Sequence, residues 1–108
     1  MNPLDEEIRL ATERLNAARY RLAMADLEVF RAEIILKQEE SLGRVCGLDG
    51  KNADEREANL HLNLAREIEA LNVAKVDRIR AAGEYDISLA DVRCVRARIA
   101  LEAGVLIP

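Results

Sequence analysis

The chain has 108 residues, enough for one domain and not two, and half of them are hydrophobic, so a core can be buried. Only 3% are aromatic and there is no tryptophan, so the apolar supply is Ala, Leu, Ile and Val, which with abundant Arg and Glu suits long helices in close contact. The formal charge of -4, with charged residues of both signs, disfavours indiscriminate nucleic-acid binding, which needs a net basic surface.

The first helix is expected from about Pro3 to about Leu42. Asn2 is a good N-cap, and Pro3 at the first helical position loses nothing by lacking an N–H. Asp5, Glu6 and Glu7 then complement the positive end of the helix dipole. Apolar residues recur with alternating 4,3 spacing at Leu4, Ile8, Ala11, Leu15, Ala18, Leu22, Ala25, Val29, Ala32 and Leu36. A 3.5-residue period held over more than four heptads is a coiled-coil pattern. One seam position is always large, and the other becomes a strip of alanines after Leu4. That strip admits a second helix at close range, as in an antiparallel hairpin. At 1.5 Å per residue the helix is about 58 Å long, too long to be stable alone. A second stripe, Tyr20, Met24, Leu27, Phe30 and Ile34, lies beside the first, and its expected role is a contact between subunits.

The stretch from Leu42 to Lys51 reads as a loop with Asp49-Gly50 as its turn. Asn52 is the next N-cap, with Glu55 three residues on as in a capping box. The second helix is expected from about Ala53 to about Ala82, burying Leu60, Leu64, Ala65, Ile68, Leu71, Val76 and Ile79, and ending at Gly83. Ser88 then reads as a third N-cap, with Asp91 at the third helical position and Ile87 and Val92 as the hydrophobic staple. The third helix, about Leu89 to Ala103, is expected to bury Leu89, Val92, Val95, Ile99 and Ala103. Gly104 suits the left-handed residue that follows a helix. The expectation is an all-α fold: one helical domain over residues 1–108, a long antiparallel, coiled-coil-like hairpin (helices about 3–42 and 53–82) plus a third, shorter helix (about 89–103).

Catalytic chemistry finds little footing. His61 is the only histidine, and the sequence puts no Cys or Asp partner beside it. Cys46 and Cys94 form no metal or redox motif and read as reduced thiols. There is no phosphate-binding Walker sequence and no nucleophile elbow. The expectation is therefore no enzyme, no metal and no cofactor. Two basic features suggest anion binding instead. Lys51 and Arg56 flank the start of the second helix, where free N–H groups and the dipole hold anions. The plainer reading is a turn and a cap, and the acidic Asp54, Glu55 and Glu57 favour it. Lys75, Arg78 and Arg80, with Arg93, Arg96 and Arg98, form a second basic group. It suits phosphates or, more simply, a solvated face laced with acids. No apolar run is long enough to span a bilayer, and Met1 to Glu7 is acidic where a secretory leader would be basic.

The run Gly50-Lys51-Asn52-Ala53-Asp54-Glu55-Arg56-Glu57-Ala58-Asn59-Leu60 resembles a motif in small helical accessory proteins of tailed bacteriophages and prophages. There a Gly-Lys-Asn turn, an acidic residue, Glu-Arg, a small residue and Leu join a long first helix to a second helical segment. The match covers about eleven residues, and the helical layout extends it across most of the chain. The resemblance implies a phage-type accessory protein in the bacterial cytoplasm, with counter-defence among its possible tasks, and carries over no catalytic residue. Three functions stay open. The leading one is a non-enzymatic homo-oligomer that engages a host protein. The second is a sponge for a cyclic nucleotide or other phosphorylated signal, held by Lys51, Arg56, Arg93, Arg96 and Arg98. The third is a structural coiled-coil adaptor. The expected partners are the chain itself and a host protein or a phosphorylated small molecule, with no membrane and no nucleic acid.

Overall fold

The computed structural model describes residues 2–45 and 52–104. They form three helices: α1 (Pro3–Val45), α2 (Ala53–Asn63) and α3 (Ala65–Glu102). The fold is all-α and built on a long helical hairpin, as the sequence implies. The chain divides into two compact units, one of Met1–Met24 with Ile79–Pro108, the other of Ala25–Arg78.

The start of α1 follows its capping signals. The Asn2 side-chain oxygen accepts the Leu4 N–H at 3.0 Å, and its carbonyl accepts the Asp5 N–H. All ten seam residues of α1 are buried or half-buried, with Ala11 and Ala18 shut off from solvent. In the first unit Ala11 and Leu15 pack with Val92 and Val95, and Ile8, Tyr85, Leu89 and Ile99 close around them. Exposed ion pairs show that the helices run antiparallel there: Arg98 donates to Glu7 at 2.7 Å, and Arg21 to Glu84 at 3.2 Å. Such pairs fix register more than they add stability.

In the second unit Leu60, Leu64 and Ala74 are buried. Arg44 of α1 reaches Glu57 of α2 at 3.3 Å, and Arg78 of α3 bonds Asp26 of α1. The Asn52 side chain caps α2 by accepting the Glu55 N–H at 2.8 Å.

The helix breaks differ from those expected. α1 runs through Gly43 to Val45. The second and third helices do not part at Gly83, and Ser88 caps nothing, because α3 is continuous through both. A glycine inside a helix costs about 1 kcal/mol relative to alanine. The inner face packs well enough on either side, at Ala81, Val92 and Val95, to carry the helix across it. The break falls instead at Leu64, whose φ of -98° and ψ of 8° offset α2 from α3 by one residue. Hydrogen bonds bridge it, from the Leu64 N–H to Leu60 and from the Ile68 N–H to Leu64. The shorter helix of the three is thus the middle one.

The buried face of α3 also shifts. Ile68, Leu71, Leu89 and Ile99 are half-buried as expected, but Ala65, Val76, Ile79 and Ala103 are exposed. The inner residues are Leu71, Ala74, Arg78, Ala81, Tyr85, Ser88, Val92, Val95 and Ile99, again in 3,4 alternation. Arg78 is the one exposed member, drawn out to Asp26. Gly104, with φ +74°, follows the end of α3 as expected, its N–H bonded to the Leu101 carbonyl.

Candidate functional site

The chemistry of the surface is set by what the hairpin leaves outside. A helix in a two-helix contact buries one seam, and residues at other wheel positions face solvent. On α1 all five residues of the second stripe are exposed: Tyr20 and Met24 in the first unit, and Leu27, Phe30 and Ile34 in the second. Tyr20 and Phe30 are the most open, at 66% and 58%. Two large aromatic side chains on one outer helix face are costly to leave in water, since each carries a large apolar area.

On α3 the exposed large apolar residues are Val73, Val76, Ile79, Ile87 and Leu101. Val73 and Val76 line an open groove of about 640 Å³ in the second unit, together with His61, Ala65, Ile68, Glu69, Asn72 and Asp77. The offset at Leu64 lies between His61 at one end of that groove and the residues of α3 that line the rest. Counting heptads backwards from Val92 and Val95, through Gly83, separates these outer residues from the inner ones. Reading hydrophobicity alone assigns Val76 and Ile79 to the core.

The anion-site residues do not all have free charge to offer. Lys51 lies outside the described residues, as do Cys46 and the Asp49-Gly50 turn. Arg56 donates from Nε to the Asn52 carbonyl at 3.2 Å and belongs to the second unit. Arg93, Arg96 and Arg98 belong to the first unit, and Arg98 is held by Glu7. Arg93 and Arg96 are exposed. His61 is exposed, and Cys94 is a free, exposed thiol. Among the described residues no group of three His, Cys, Asp or Glu side chains is placed to hold a metal ion, and no helix is long and apolar enough to cross a membrane.

A charged cluster stands at the start of α1. Arg9 bonds Glu6 and also Glu13, at 2.6 Å. The hydrogen bond from Arg9 lowers the Glu6 carboxyl below the ordinary 4.5, and the nearby positive charge adds to it. The same carboxylates raise Arg9. The group lies at the surface, with Glu6 half-buried, and links the first turns of the helix.

No protein-family model matches the chain, and neither a curated protein nor a solved structure matches it.

Proposed function

We propose that this chain is a non-enzymatic binding protein of the phage accessory kind, acting as a helical homo-oligomer that engages a host protein and serves in counter-defence. The observation that supports the oligomer most is the exposure of Tyr20, Met24, Leu27, Phe30 and Ile34 on a helix whose other seam is already covered. Apolar surface of that kind is stabilised by a protein contact and is a hazard without one. The phage-type role rests on the Gly50–Leu60 motif and the helical layout around it. The sponge reading gains less, because Arg56 and Arg98 already have acceptors within the chain.

Native mass spectrometry and sedimentation equilibrium test the self-association. Wild type is expected above monomer mass at micromolar concentration. Tyr20→Glu and Phe30→Glu are expected to lower the subunit number while helical circular dichroism is kept. A wild-type monomer sinks the oligomer. A retained nucleotide in the native spectrum, or thermal stabilisation by a cyclic nucleotide, replaces the host-protein reading with the sponge.

A further inference from the structure

We infer that the outer face of α3 in the first unit is a self-pairing surface, and that a second copy of this chain packs on it antiparallel. The inference rests on the self-association proposed above and adds to the α1 stripe a second contact face, on α3, with a direction.

The face is a heptad seam of its own. Gly83, Ile87, Ala90, Cys94, Ala97 and Leu101 recur with 4,3 spacing, on the side of the helix turned away from Val92 and Val95. Ile87 and Leu101 are 66% and 70% exposed, and Ile79 is 73% exposed at the N-terminal border. The alternate positions are small, and a Cβ added at Gly83 meets nothing within 4 Å. A second helix therefore has room to lie close, with its own Ile and Leu over the small residues.

The bordering charges choose the occupant and its direction. Asp86 and Asp91 come first and Arg93 follows, with Arg96 a further step round toward Val92; all four are exposed, and none has an ion pair among the described residues. The sign reverses just after Asp91. A parallel second copy sets acid on acid and base on base. An antiparallel copy, related by a two-fold axis near Ala90, brings Asp86 level with Arg93 of the second copy, and Arg93 level with its Asp86. Opposite charges facing across a helix contact set its orientation, and like charges oppose it. A face that is apolar in its middle, acidic at one end and basic at the other is complementary to itself. The one like-charge approach is near the axis, where Asp91 comes close to Asp91 of the second copy.

Cross-linking and charge exchange test the arrangement in the full-length chain, with Cys46→Ser and Cys94→Ser as background. Ala90→Cys lies beside the axis and is expected to cross-link to its mate through a short bis-maleimide. Leu101→Cys is expected not to, because antiparallel mates there stand about 30 Å apart along the helix at 1.5 Å per residue. Arg93→Glu/Arg96→Glu is expected to weaken self-association about tenfold or more. Asp86→Arg should weaken it in the same direction, and equimolar mixing of the two variants should restore it as a mixed dimer. Asp91→Asn should tighten it. Circular dichroism of each variant separates lost pairing from lost folding. Efficient cross-linking at Leu101→Cys overturns the antiparallel direction. An oligomeric wild type indifferent to all the charge variants overturns this face while leaving self-association standing. A wild-type monomer overturns both.

Discussion

Ala18 is the position where the hairpin's geometry is most exposed to test. It has no accessible surface, and it lies on the alanine strip of α1 with Ala11, which packs against Val92 and Val95. Ala18→Leu adds three carbon atoms where there is no open space. The helices must then part, or neighbouring side chains must leave their rotamers, at a cost of about 1–3 kcal/mol. Unfolding entropy of about 2.1 cal/mol/K per residue over 108 residues makes each kcal/mol worth about 4 °C in melting temperature. The expected fall is therefore about 4–13 °C at fixed protein concentration. Ala25→Leu, half-buried, should lose less. Ala23→Leu, exposed on the same helix, should stay within about 0.5 kcal/mol of wild type. Differential scanning calorimetry at one concentration, with the subunit number checked by sedimentation, gives the comparison. Equal melting temperatures for Ala18→Leu and Ala23→Leu would refute close helix approach along the alanine strip.

Asn52→Ala removes the acceptor of the Glu55 N–H and should cost about 0.5–2 kcal/mol, read as a shift in urea midpoint at unchanged slope. Glu6 should titrate below its ordinary value in a carboxyl NMR titration, and Arg9→Ala should return it upward. Because the folded value is the lower one, the stability it contributes is present above 4.5 and is lost as pH falls through the depressed value. Gly83→Ala meets open space on a continuous helix and should stabilise the subunit by about 0.5–1 kcal/mol. A destabilised Gly83→Ala in thermal melts would show that something packs at that Cα more closely than an alanine permits.

The α1 seam was legible because large residues alternate with alanines for ten positions without a miss, and every one of the ten is at least half-buried. The caps at Asn2 and Asn52 were legible for a local reason, since one short side chain satisfies one orphan N–H. The inner seam of α3 was hidden by its composition. Ala74, Arg78, Ala81, Tyr85 and Ser88 include one charged and two polar side chains, while Val73, Val76 and Ile79 beside them look like core. The difference is tertiary. Against the alanine strip of α1 the inner face accepts small side chains such as Ala74 and Ala81, and the register held by Val92 and Val95 puts Val73, Val76 and Ile79 at other wheel positions. Gly83 and Ser88 carry correct local signals for a helix end and a helix start, and long-range packing on both sides outweighs them. The break at Leu64 has no comparable signal, because neither Asn63 nor Leu64 is a helix breaker.

The distribution of side-chain size carries the assembly argument further than any single patch. In a monomer that completes its own core, the large apolar residues are inside. Among the described residues the largest fully buried side chain is Val92, and Ala11 and Ala18 are closed to solvent as completely. Tyr20, Phe30, Ile79, Ile87 and Leu101 are outside. With Ala11, Ala18, Ala74 and Ala81 buried beside Leu4, Leu15, Leu60, Leu64, Val92 and Val95, the helices remove less apolar area from water than seams filled throughout by large side chains. The area able to stabilise the chain further is the area the hairpin leaves exposed. At about 25 cal/mol per Å², covering the outer residues of α1 and α3 stabilises the fold and the assembly together. If copies of the chain cover these residues as proposed, association adds to the stability of the folded hairpin, so that Phe30→Glu lowers the melting temperature together with the subunit number while the helices remain folded.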